Sequence, residues 1–128
     1  MSLHQLPVVL LALPLVLAGC GGGGKTHDSA KVVACIRAKG LTVTRDRTYS
    51  FAPTSRDYAI TVPIGNVLLA FGPDEDVAKG VEDRVRSVAK ANGASNLDNV
   101  VRRDGNLVYW VNAQAFPAGL TKLVEGCL

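Results

Sequence analysis

Residues 1–19 contain no Asp, Glu, Lys or Arg, so every such charge in this 128-residue chain lies in the stretch that follows. That partition limits the folding problem, because a short uncharged apolar run cannot build a core with a solvated outside. The apolar part of the run, Pro7 to Leu17, is about eleven residues, well short of the ~20 that a helix needs to cross a bilayer. Pro7 and Pro14 interrupt it, which a permanent helical span tolerates poorly. The segment reads as a targeting sequence, to be set aside before the fold is considered. Its opening, MSLHQ, departs from the usual export signal in having no Lys or Arg.

The run closes on Leu17-Ala18-Gly19-Cys20. This tetrad resembles the lipobox of bacterial lipoprotein precursors, where small residues precede a cysteine that becomes the new N-terminus and carries lipid on its sulfur. The resemblance implies a cleaved signal peptide over 1–19 and a lipidated (palmitate-type) Cys20. It also implies a cell-membrane address on the extracytoplasmic face. Gly21–Gly24 follow directly, and four glycines hold no fixed conformation cheaply, so residues 20–27 form a lipidated cysteine with a Gly-rich tether. Residues 28–128 are then one domain with a modest core. Gly19–Thr26, GCGGGGKT, also matches the phosphate-loop pattern letter for letter. A phosphate loop needs a buried strand before it and a helix N-terminus at the phosphates. Here a signal segment precedes it and cleavage removes its first glycine, so the nucleotide reading is rejected.

Periodicity orders the domain. A helix begins near Asp28, capped by Asp28 or Thr26, with Val32, Cys35 and Ile36 on one stripe and Gly40 at its end. LTVTR (41–45) and YAITV (58–62) alternate as half-buried strands do. The polar loop 46–57 between them is long enough to draw attention as a binding surface. Residues 63–66 turn the chain into VLLAF (67–71), making a hairpin. The clearest helix runs from Asp74 to about Ala91, with Asp74, Glu75 and Asp76 at its positive end and Val77, Val81, Val85 and Val88 as one buried stripe. A second hairpin, VVRR-DG-NLVYWV, has Asp104-Gly105 as its expected turn. Pro117 opens a last helix presenting Leu120, Leu123, Val124 and Cys127. The expected fold is α+β, ordered α-β-β-β-α-β-β-α. Its architecture is a two-layer sandwich, an antiparallel sheet of hairpins with helices on one face.

With Cys20 taken by lipid, Cys35 and Cys127 are an even pair in an oxidising compartment, each on the apolar stripe of a terminal helix. Pairing would clamp the first helix to the last and, on the chain-entropy model, contribute roughly 4 kcal/mol. Two separate buried thiols are the other reading. Apart from His4 in the leader, the single histidine is His27, placed beside the tether where the chain is expected to move. No held imidazole is therefore in view for nucleophilic catalysis or a metal site. The acidic runs are explained by helix ends and solvated faces. The expectation is no enzyme activity, no cofactor, no metal and, at a net charge of +3, no nucleic-acid partner.

Arg102 and Arg103 at the hairpin tip are candidates to meet an acidic partner. Neighbours Tyr109 and Trp110 point to opposite faces, so helices on one face alone would leave an aromatic on an open sheet surface. The possible interaction surface comprises Tyr49, Phe51 and Arg56 on the loop with Arg102, Arg103 and Trp110 on the second hairpin. VACIRAKGLTV, LLAFGPDEDVAKGVEDRVRSVA and LVEGCL together are similar to small exported proteins of actinobacteria, which have no assigned activity. In that family a cysteine in the first helix and one in a terminal Cys-Leu dipeptide frame one compact domain, which implies the Cys35–Cys127 pair. The expected function is a lipid-anchored extracytoplasmic binding or interaction module of the cell envelope. It would be held to the membrane through Cys20, with another envelope protein as partner. A small-ligand or lipid carrier with an apolar pocket between sheet and helices is the alternative, and an enzyme with unrecognised residues the third.

Overall fold

In the computed structural model, which describes residues 25–46, 54–63 and 65–128, the elements follow the expected order. They are α1 (Ser29–Ala38), β1 (Val43–Arg45), β2 (Arg56–Val62), β3 (Gly65–Phe71), α2 (Glu75–Ala91), β4 (Val101–Asp104), β5 (Leu107–Val111) and α3 (Leu120–Glu125). A short 3-10 turn, Leu97–Asn99, precedes β4. The expected leader, the lipidation site Cys20 and the candidate residues Tyr49 and Phe51 lie outside the described residues.

Local chemistry sets the helix ends. The Asp28 carboxylate caps α1 by accepting from the Ala30 and Lys31 backbone amides at 2.9 and 3.3 Å. The Asp74 carboxylate accepts from Val77 N–H at 2.8 Å and caps α2, so Asp74 is the cap and not the first helical residue. Gly40 and Gly93 take left-handed backbone (φ +90° and +89°) just beyond the two helices, a conformation that side chains with a Cβ disfavour.

All five strands pair antiparallel in the order β1-β2-β3-β5-β4. Several boundaries move by a residue or two from their sequence positions. β2 begins at Arg56, which pairs with Phe71, and Asp46 N–H donates to Asp57 O at 3.0 Å; Arg56 and Asp57 thus belong to the sheet rather than to the loop. β3 begins at Gly65, opposite Val62. In the second hairpin Asp104 pairs with Leu107, which puts Gly105-Asn106 at the turn in place of Asp104-Gly105. Gly105, at φ +56°, is the first central residue, as a type II′ turn requires.

The helices do not share one face. Arg102 and Arg103 are neighbours on β4 and so point to opposite sides of the sheet. Arg102 reaches Glu125 on α3, whereas Arg103 reaches Glu75 and Glu82 on α2. The disulfide Cys35–Cys127, with a Cα–Cα distance of 5.7 Å, ties α1 to α3. The sheet is thus sandwiched between α2 on one side and the stapled α1/α3 pair on the other. The cause lies in the central strands. Val67–Phe71 and Leu107–Val111 are buried at every position, so both faces need cover. Tyr109 sits at 2% exposure with its ring 5.5 Å from Phe116, and Trp110 at 7% lies beneath α2. No open aromatic face remains on the second hairpin, which removes Trp110 from an exposed interaction surface.

Both sheet edges carry an arginine. Arg37 of α1 donates to the outward Val43 carbonyl on edge strand β1, at 2.7 Å from Nη2 and 3.2 Å from Nε. On edge strand β4, Arg86 of α2 approaches Val101 O at 3.5 Å. Such cover blunts pairing of the free edges with another chain.

Candidate functional site

The strongest site candidate is a groove of about 440 Å³ between the C-terminal half of α2 and the sheet. Its buried floor is Leu68, Val101 and Trp110, and its wall is Val85, Val88 and Ala89. The exposed residues Asn66, Asn92 and Asn112 stand at its rim. Among the described residues, no Asp, Glu, Lys or Arg lines it. The valine stripe of α2 explains the opening. Ala78, Val81 and Val85 pack onto the sheet, but Val88, one turn on, is 50% exposed and stands clear of it. Val88 therefore does not complete the buried stripe that its spacing suggests.

The opposite end of the sheet is polar and tied by hydrogen bonds. Asn106, at the β4–β5 turn, is buried and joins three segments of chain. Its backbone N–H donates to Lys25 O (3.1 Å), and its carbonyl accepts from Gly72 N–H (2.8 Å). Its side-chain Oδ1 accepts from His27 N–H (2.6 Å), while Nδ2 donates to His27 O (3.2 Å) and Gly72 O (2.9 Å). The His27 ring bonds through Nε2 to Asp104 Oδ1 at 2.8 Å. A Cβ on Gly105 would run into the Lys25 backbone, so glycine is needed there for space as well as for its φ. Residues 25–28 are thus clasped onto the hairpin tip, and His27 is held where mobility was expected. Lys25 and Thr26 cross this tip before α1 begins at Ser29, unlike the lysine and threonine of a phosphate loop, which open the helix.

The remaining candidates divide between the chain's own bonds and solvent. Arg103 donates to Glu75 Oε1 at 2.8 Å and Glu82 Oε1 at 3.0 Å, and these carboxylates, Glu75 first, raise its guanidinium above its already high ordinary pKa. Arg86 bridges Glu82 and Asp98. Arg102 donates to Asp98 O at 3.2 Å and approaches Glu125 at 3.5 Å. This network joins β4 to the helices on both sides; Arg103 is taken up by Glu75 and Glu82, while the Arg102 side chain stays 43% exposed. Arg56 is exposed, on a shallow hollow shared with Thr26, Asp28 and Pro73 near the clasp. Among the described residues, no cluster of three or more His, Cys, Asp or Glu side chains is placed to hold a metal ion. Nor is any helix there long and apolar enough to cross a membrane.

The structure brings Trp110 into the groove but parts it from Arg102, Arg103 and Arg56. Sequence reasoning missed Asn66, Asn92 and Asn112, which come from separate elements and share no local pattern. It also missed Asn106, for which the Asp-Gly-Asn run at a turn was the available signal. No family model matches this chain, and neither a curated protein nor a solved structure is found to match it.

Proposed function

We propose that this protein is a lipid-anchored, extracytoplasmic binding domain of the cell envelope, with the α2–sheet groove as its site. The ligand class is a small neutral molecule with an apolar body and a hydrogen-bonding head. The carrying observation is the groove itself, with a buried apolar floor including Trp110, an asparagine rim and, among the described residues, no charged lining residue. Ligand pockets are typically ~300–1,000 Å³, mostly apolar with a few placed polar groups, and this groove falls in that range. An apolar body on Trp110 and Leu68 gains ~25 cal/mol per Å² removed from water, and amides at the mouth can bond a hydroxyl or carbonyl. The anchor half of the proposal rests on the tetrad ending at Cys20 and the glycines after it.

The test is intact mass of the protein extracted from its native membrane, measured native, denatured, and denatured with reduction. The expected denatured mass fits cleavage before Cys20 plus acyl chains, and rises by two hydrogens on reduction. The native spectrum should carry an additional small neutral molecule that is absent from Val88→Asp protein, whose carboxylate enters the groove wall. An unacylated mass would remove the anchor, and identical ligand content in the variant would remove the groove.

A further inference from the structure

We infer that the clasp of Lys25–Asp28 on the β4–β5 tip shortens the leash of the lipid anchor. It thereby orients the domain, tip toward the bilayer and groove away from it. The inference rests on the proposed lipidation of Cys20, and its own content is the geometry after that residue.

The clasp is built into the domain. Asn106 uses its backbone and side-chain polar atoms to hold Lys25 and His27 against Gly72, and Asp104 holds the His27 ring. The tether is therefore attached at the tip, at Lys25, and not at the start of α1. From Cys20 to Lys25 is five residues, which span at most ~17 Å in any conformation. The tip must stay within that distance of the lipidated sulfur.

The groove lies at the other end of the same sheet. β3 runs from Phe71, next to the clasped Gly72, to Gly65 at the groove, and its seven residues extend ~20 Å. A leash of ~17 Å cannot run the length of the domain and let its far end meet the bilayer. Without the clasp the free chain would reach from Cys20 to Ser29, nine residues and ~31 Å, and either end could face the membrane. The bonds at Asn106 and His27 thus decide between one orientation and many. The consequence for the proposed site is that its ligand arrives from the aqueous compartment and is not drawn laterally from the bilayer that holds the anchor.

Energy transfer to an acceptor in the lipid headgroups reads this directly. The acylated full-length mature protein is reconstituted into vesicles, with a donor at exposed Asp76 or exposed Ala91. These residues mark the tip and groove ends of α2, ~22 Å apart along its axis. Transfer from position 76 should exceed that from 91 severalfold. Inserting eight glycines between Gly24 and Lys25 lengthens the leash outside the domain, and the difference should collapse while the melting temperature stays unchanged. His27→Ala should narrow it in part. Equal transfer from both positions in the unmodified, vesicle-bound protein would overturn the orientation and leave the anchor standing. A difference that survives the insertion would overturn the leash as its cause. Protein that lacks acyl mass and does not float with vesicles would overturn both.

Discussion

At the β4–β5 tip, Asn106 bonds with every polar atom it has and Gly105 lies against the Lys25 backbone. At the other end of the same strands, Val88 stands half exposed above Leu68 and Trp110. The first end is closed by specific hydrogen bonds among segments distant in sequence. The second presents the half-exposed Val88 beside a buried apolar floor. The two faces differ in the same way. The layer behind Tyr109 is stapled by Cys35–Cys127, while the α2 layer is held by its valines and the carboxylates around Arg103. Hydrogen bonds are concentrated where Lys25–Asp28 meet the hairpin tip, and half-exposed apolar surface at the groove. The length of the sheet separates the two.

Breaking the staple should have the largest effect. The bond spans a sequence separation of 92, for which the chain-entropy model gives about 4–5 kcal/mol. Cys35→Ala with Cys127→Ala should lower stability by about 4 kcal/mol in urea unfolding. The next contrast sets two asparagines against each other. Asn106→Ala leaves the Gly72 carbonyl and the His27 amide without their partner; at ~1–3 kcal/mol for each buried group, about 3 kcal/mol should be lost. Asn92→Ala at the groove rim should change stability by less than about 0.5 kcal/mol, as surface substitutions do. Equal losses from the two would erase the distinction between a closed end and an open one.

The smallest effect is a pH dependence on the stapled face. Burial raises the Tyr109 phenol above its ordinary pKa of 10.0, with Glu125 adding to the shift. The folded state then keeps a proton that the unfolded chain has lost. Stability from this group is complete below pH ~10 and declines as pH rises through the folded pKa. Tyr109→Phe should flatten the decline in stability above pH ~10 and leave the neutral part nearly unchanged.

Much of the fold was legible because its signals are local. Asp28 and Asp74 sit where helices must be capped, Gly40 and Gly93 where they must stop, and the order of elements follows from the periodicities between them. The pairing of Cys35 with Cys127 was legible through helix phase and, on the expectation that Cys20 carries lipid, through parity, and the resemblance to small exported proteins pointed the same way. The one-face arrangement was misread because alternation was assumed where VLLAF and LVYWV are unbroken apolar runs, the mark of strands covered on both sides. The hairpin turn was misplaced by one residue because Asp-Gly and Gly-Asn both suit tight turns. Cross-strand pairing of Asp104 with Leu107 is what selects between them.

The sequence by itself determined the elements and their order, since capping and periodicity act over a few residues and need no partner. The tertiary structure alone decided which side each helix covers, that His27 is held rather than free, and that Trp110 lies at the floor of a groove. Those outcomes depend on contacts between residues up to 79 positions apart, as His27 and Asn106 are. No local pattern encodes a meeting at that separation; it follows only when the whole sheet is paired and both its faces find cover.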